Sequence, residues 1–328
     1  MSINKLLERL KCKRFFSIGR AGMDFYAEPP GTEFEQANNF SAHVGGSAGN
    51  IAVALAKLGC EVELVTCFSE DAVGRFTANK LHEFGVGTSH CRIVGGEARN
   101  TLAVVETRLT DCQSVIYRNG AADFEMNSND VNLLDYEGTG GVILSGTALA
   151  SEPSRSAIFT AIDRARVANT PVIIDMDYRP YSWASPEEAK EVYSSAISLC
   201  DIVIGNDVEF GVVAGHNVEG LNYASQLVTK TPEIVIYKKG EFGSKTFTKN
   251  KSFDTGIFPV QAIKPTGAGD SFMGGLIAGL ANSMTLEYAI IQGSASAALV
   301  VTRVACSTAM PFQTELSEFL KINTLSQI

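Results

Sequence analysis

The chain has 328 residues, a formal net charge of −9 and 45% hydrophobic residues. That length supports one large buried core with an inserted element, and the acidic balance argues against a broad nucleic-acid or anionic-membrane surface. Its seven cysteines form no C-x-x-C pair and its four histidines show no metal spacing, so the expectation is reduced thiols in a cytoplasm and no zinc site.

The first 16 residues mix leucines with Lys5, Glu8, Arg9, Lys11, Lys13 and Arg14, unlike the unbroken apolar core of a signal peptide. No run approaches the ~20 apolar residues that span a bilayer. Arg14 to Gly19 predicts a first strand, with Asp24 just past its carboxyl end, where open α/β sheets bind ligands; the same residue equally suits a turn cap. Gly45-Gly46 then leads through Asn50 into a helix stopped by Gly59. The glycine pair lets backbone approach a small ligand, and Asn50 on the first turn can donate and accept hydrogen bonds to hydroxyls.

Glu61 to Thr66 predicts a strand and Asp71 to Phe84 an amphipathic helix. Strand-like pieces at Cys91–Val94, Thr101–Arg108 and Ser114–Arg118, together with Gly22–Val44, predict a small sheet projecting from the main domain. Tyr117 and Arg118 end the last piece. A guanidinium there suits the carboxylate or keto oxygens of a sugar acid, although a plain surface strand end reads the same way.

From Gly141 onward strands alternate with helices at short intervals: Val142–Ser145, Glu152–Ala168, Pro171–Asp175, Pro186–Leu199, Asp201–Ile204 and Asp207–Ala214. That rhythm predicts a doubly wound, mostly parallel sheet covered on both faces. Two strand ends carry more polar residues than a scaffold requires: Asp175, Asp177 and Arg179 after one, Asn206 and Glu209 after the next. The latter pair also fits a simple capping box. After the strand Glu233–Tyr237, the stretch from Lys238 to Thr246 resembles a Walker loop superficially, but Ser244 stands where that loop needs glycine.

The most informative stretch is Pro265-Thr266-Gly267-Ala268-Gly269-Asp270, running into the small-residue segment Met273–Leu280. Glycines bring main-chain N–H groups close to a ligand, and a helix that starts here points its free N–H groups and dipole at an anion, as for phosphate oxygens. A carboxylate beside an anion site makes a poor cap and a good base for the proton of an attacking hydroxyl. Leu286 to Val304 follows as a buried, alanine-rich helix.

Together these motifs resemble the ribokinase-like (PfkB) carbohydrate kinases over most of the chain, roughly Arg14 to Pro311. The family loop D-T-x-G-A-G-D is matched at Gly267, Ala268, Gly269 and Asp270, while Lys264 and Pro265 replace its first two residues. The resemblance implies an α/β ribokinase-like fold forming a single kinase domain over residues 1–328, with a β-sheet lid from about 22–45 and 90–118. It implies Asp270 as catalytic base, Gly267, Ala268 and Gly269 as anion hole, and Asp24, Gly45, Gly46 and Asn50 as sugar contacts. For ATP it implies Asn206, Lys238, Gly240 and Gly243, with Asn206 and Glu209 organising Mg²⁺ through water. A homodimer through the lid is a further implication.

The segments D-x-D-Y-R-P-x-x-W (Asp175 to Trp183) and C-S-x-A-M-P (Cys306 to Pro311) resemble the branch acting on short sugar acids. The expected acceptor is 5-dehydro-2-deoxygluconate of myo-inositol breakdown; 2-keto-3-deoxygluconate is the alternative, and a non-catalytic sugar-binding regulator is a third reading from a different class. Tyr117, Arg118, Asp177 and Arg179 would serve the acid. Lys264, where relatives place an aspartate beside a monovalent cation, is expected to replace that cation with its own ammonium.

Overall fold

A computed structural model of the chain describes residues 1–326. Short apolar runs form the strands β1 (Arg14–Ile18), β2 (Gly22–Glu28), β3 (Asn39–Gly45), β4 (Glu61–Ser69), β5 (Gly87–Val94), β6 (Leu102–Val105) and β7 (Ser114–Tyr117). They continue as β8 (Gly141–Ser145), β9 (Val172–Asp175), β10 (Ile202–Asn206), β11 (Ile234–Lys238), β12 (Ser244–Thr248) and β13 (Ser252–Thr255). The main sheet has nine strands in the order β13-β12-β11-β10-β9-β8-β1-β4-β5. Pairing is parallel from β11 to β5, and β12 and β13 add an antiparallel hairpin at one edge.

Runs such as Val172-Ile173-Ile174 are buried on both faces, as a parallel sheet between two helical layers requires. Alternate residues feed opposite cores: Ile173, Ile204 and Ile236 pack with the helices Ser47–Lys57, Ala268–Ala281 and Leu286–Val301. Val172, Ile174 and Val203 pack with Ser154–Val167 and Pro186–Ile197. Each large aliphatic or aromatic side chain removed from water in this way stabilises the fold by about 1.5–3 kcal/mol before entropy is counted.

A second, four-stranded sheet, β3-β2-β6-β7, stands over the carboxyl ends of the main strands. Tyr26, Ala103 and Val105 on its inner face pack against Ala305 and Cys306. Its composition corrects the expected boundaries of the lid. Cys91–Val94 belongs to β5, which pairs in parallel with β4 through Cys91 and Thr66, so the lid sheet is built from residues 22–45 and 102–117 alone. Alternation predicted the strand correctly but carries no information about which sheet it joins.

Four helices were absent from the sequence reading: Ile3–Leu10, Ser128–Asn132, Gly220–Leu227 and Gln313–Ile322. The first buries Leu6 and Leu10 in the core, so its charged residues form an outer face. No helix among the described residues is long and apolar enough to cross a membrane.

Candidate active site

The helix Ala268–Ala281 begins at Gly267, which takes φ +85° and whose Cβ, if present, would lie 2.7 Å from Cys306 Sγ. Only glycine fits that conformation in that space. No side chain caps this helix, and its first internal hydrogen bond runs from Ser271 N to Gly267 O at 3.0 Å. The N–H groups of Ala268, Gly269 and Asp270 therefore have no helical acceptor and face outward with the positive end of the dipole. Lys238 arrives from the end of β11: a Cβ on Gly269 would sit 3.2 Å from its Nζ. Backbone donors and the Lys238 ammonium, which also meets Asp175 Oδ1 at 3.4 Å, converge on one point that can receive an anion.

Beside that site, under the lid, lies a cavity of about 340 Å³. Asn50, Asp177, Arg179, Gly267 and Asp270 line it from the main domain, Arg20 and Asp24 from the β1–β2 corner, and Ser114 and Ile116 from the lid. Asn50 Nδ2 donates to Asp270 Oδ2 at 2.8 Å, which fixes the carboxylate at the start of the helix. Asn50 Oδ1 and Asp177 Oδ2 are buried without a hydrogen-bond partner. Buried polar atoms are normally paired, so these orphans leave acceptors open to a ligand's hydroxyls. Asp24 is positioned by Gly45, where a Cβ would lie 1.9 Å from Asp24 Oδ1.

Carboxylates are crowded at the strand ends, and their electrostatics follow from that crowding. Burial, then repulsion from Asp177 and Asp175, pushes Asp270 up to about 7. Burial raises Asp24 to about 6 against the opposing pull of Arg20 and Lys264. Burial disfavours the Lys238 ammonium, but Asp175, Glu209 and Asp270 outweigh it and hold its pKa above the ordinary lysine value. Asp177, paired through Oδ1 with Arg179 Nη2 at 2.6 Å, takes φ +39°. A non-glycine residue held in that region stores backbone strain, a feature that clusters at functional sites.

Asn206 and Glu209 form a reciprocal capping box: Glu209 N donates to Asn206 Oδ1 at 2.9 Å and Asn206 N to Glu209 Oε2 at 2.7 Å. Glu209 Oε1 also accepts from Tyr178 N at 3.2 Å. Both residues are thus engaged with backbone, and burial raises Glu209 to about 7. Among the described residues no three His, Cys, Asp or Glu side chains form a metal cage. What the donor set offers is the oxygen-rich rim of Asp175, Asp177 and Glu209, whose remaining lone pairs suit a hydrated hard cation carried in by phosphates.

Several expected residues fall outside the cavity. Tyr117 is 60% exposed: in β7 the alternation turns Ser114 and Ile116 inward and Tyr117 out. Arg118 is buried, but its Nε meets Asp123 Oδ2 at 3.2 Å and its Nη1 donates to Thr147 O at 3.0 Å, so an internal ion pair occupies it. Gly243 takes φ +78° with a would-be Cβ 2.1 Å from Thr255 O, a requirement of the turn between β11 and β12 where it passes the end of β13. Gly240, at φ +58°, sits in the same turn. Lys264 is fully buried, not exposed, and its Nζ donates to Thr266 O.

The sequence reading missed Arg20, Tyr181 and Cys306 as cavity walls. Arg20 had a positional signal, directly after Gly19 at the end of the first strand, where ligands gather in such sheets. A helix N-terminus with free N–H groups, a buried carboxylate next to it and a cavity lined by charged side chains suit an enzyme that moves a phosphoryl group onto a hydroxyl. A family model for pfkB family carbohydrate kinases matches residues 13–313, and the chain belongs to that family. It is 39% identical over 309 residues to a 5-dehydro-2-deoxygluconokinase from Photobacterium profundum, covering 93% of each chain. It is 35% identical to one from Geobacillus kaustophilus, covering 94% of this chain and 93% of the relative. Among solved structures, a double-mutant fructokinase from Vibrio cholerae O395 in its fructose, ADP and potassium ion bound form superposes with a TM-score of 0.82. That chain is 26% identical, with 94% of this chain and 98% of the other covered.

Proposed function

We propose that this carbohydrate kinase transfers the terminal phosphoryl group of Mg·ATP to the primary hydroxyl of 5-dehydro-2-deoxygluconate, in myo-inositol catabolism. The observation that carries the acid reading is that the cavity holding the base, Asp270, also presents the guanidinium of Arg20 without an ion-pair partner, beside an Arg179 already paired with Asp177. A neutral sugar needs no such charge, and the curated relatives are named for this acceptor. The R-P-x-x-W segment from Arg179 to Trp183 also suits 2-keto-3-deoxygluconate, which is the second reading.

In this mechanism Asp270, held by Asn50, takes the proton of the acceptor hydroxyl as that oxygen attacks in line. The N–H groups of Ala268 and Gly269 and the Lys238 ammonium hold the charge on the phosphoryl oxygens. Magnesium, when bound with the nucleotide near Asn206 and Glu209, would neutralise phosphate charge through its waters. Asp24, Asn50 and Asp177 fix the hydroxyls, and the lid keeps water from competing as acceptor. The turn holding Gly240 and Gly243 would border the nucleotide. Lys264 would serve as the built-in cation beside the loop. A second copy of the chain would cover the lid's exposed Val115 and Tyr117, and free thiols at all seven cysteines support a reducing cytoplasm.

The test is ADP release from Mg·ATP with 5-dehydro-2-deoxygluconate, 2-keto-3-deoxygluconate, ribose and fructose. The first acid should give the highest kcat/KM; preference for a neutral sugar would refute the acid reading while leaving the fold and base in place.

A further inference from the structure

Three guanidiniums lie near the cavity, and two of them are already paired. Arg118 is bound to Asp123 and the Thr147 carbonyl, and Arg179 to Asp177. Arg20 differs. Its residue is 6% exposed, it lines the cavity, and among the described residues its side chain makes no hydrogen bond or ion pair. Its guanidinium nitrogens are not sealed from solvent but face the open cavity with no protein partner, which leaves the fork of N–H donors available to a ligand's charge.

Asp24 is close enough for Arg20 to pull on its titration, yet the two form no ion pair, and Asp24 is itself crowded by Gly45 and free to accept hydroxyls. The backbone of Arg20 is locked into the acceptor side. Its carbonyl accepts from Gly49 N at 3.2 Å, and a Cβ on Gly46 would lie 2.6 Å from that oxygen. The phosphate side already has its own positive groups in Lys238 and the helix N-terminus.

We propose that Arg20 is the residue that selects an acid, by binding the acceptor's carboxylate in the cavity opposite the phosphoryl-transfer loop; this rests on the sugar-acid reading above. Arg179, neutralised by Asp177, positions the loop and contributes less to the discrimination. The Arg20 guanidinium offers two parallel N–H donors to a carboxylate, a geometry that an amide or hydroxymethyl group cannot match.

The experiment compares wild type with Arg20→Gln, Arg20→Lys and Arg179→Gln. It uses the preferred acid and its carboxamide as acceptors, at saturating Mg·ATP, with KM for ATP measured separately. For Arg20→Gln the acid should lose about 100-fold more kcat/KM than the carboxamide, the loss expected when a buried charge pair loses one partner. KM for ATP should move less than about threefold by comparison, because the phosphate donors are untouched. Arg20→Lys keeps the charge but not the fork, and should lie between; it also serves if the Gln variant does not fold. Equal losses for acid and carboxamide in Arg20→Gln or Arg20→Lys would overturn the assignment, as would an effect concentrated on KM for ATP. A larger acid-specific loss in Arg179→Gln would overturn it as well. A wild type that prefers neutral sugars would overturn both this inference and the substrate reading, whereas a wild type that prefers the acid isolates any failure to Arg20.

Discussion

At the scale of single residues, the proposed chemistry turns on one carboxylate whose proton affinity is raised and whose position is fixed. Asp270 is buried at a helix start among Asp177 and Asp175, and its pKa rises to about 7. A base is most useful when it titrates near working pH. Since the carboxylate is the active form, kcat/KM should fall about tenfold per unit below pH 7 and level off above it. A pH–rate profile flat down to pH 5 would contradict that placement. Asp270 was legible from its neighbours in sequence because loop, helix start and base are contiguous. Arg20 was not, because its significance lies in lacking a partner, which only the folded neighbourhood reveals. Arg118 misled for the mirror-image reason: its counter-ion, Asp123, is five residues away but joins it only after the chain turns.

At the scale of elements, two buried lysines hold the loops that shape the cavity. Lys264 donates to the Thr266 carbonyl just before the anion loop and is surrounded by Cys306, Asp270 and Asp24. With an ammonium already in place, turnover should be indifferent to K⁺ at constant ionic strength, and Lys264→Ala should acquire K⁺ stimulation. Strong K⁺ activation of the wild type would sink this account. Lys57, at the end of the helix Ser47–Lys57, donates to the carbonyls of Ser307 (3.2 Å), Thr308 (3.0 Å) and Met310 (2.9 Å). Lys57→Met strands these acceptors and should cost about 2–4 kcal/mol of stability, measurable by denaturant unfolding. Helix and strand order in the second half of the chain could be read from periodicity because buried parallel strands are short apolar runs between helices. The assignment of Cys91–Val94 to the lid failed because pairing partners are chosen by topology. Asn206 and Glu209 satisfied a capping motif and a metal motif at once, and the structure realises the cap.

At the scale of the whole molecule, burying several carboxylates at the strand ends beneath the small sheet carries a stability cost. Asp24 and Asp270 are raised to about 6 and about 7, and Glu209 to about 7, all by burial first. In the pH range between the ordinary carboxyl values and these raised ones, the folded protein keeps protons that the unfolded chain has released. Folding stability is therefore fullest below about pH 4 with respect to these groups and declines as pH rises to about 7. The ligand-free Tm should fall across that window, and Asp270→Asn should flatten part of the decline. A Tm that rises steadily between pH 5 and 7 would contradict the burial argument.

The central claim is that Asp270 is the base for phosphoryl transfer in an otherwise intact binding site. Its most direct test measures kcat for Asp270→Asn alongside calorimetric binding of Mg·ATP and of the acid. The account predicts a loss of more than ~10²-fold in kcat with both ligands still bound. Near-normal turnover by the variant would contradict it.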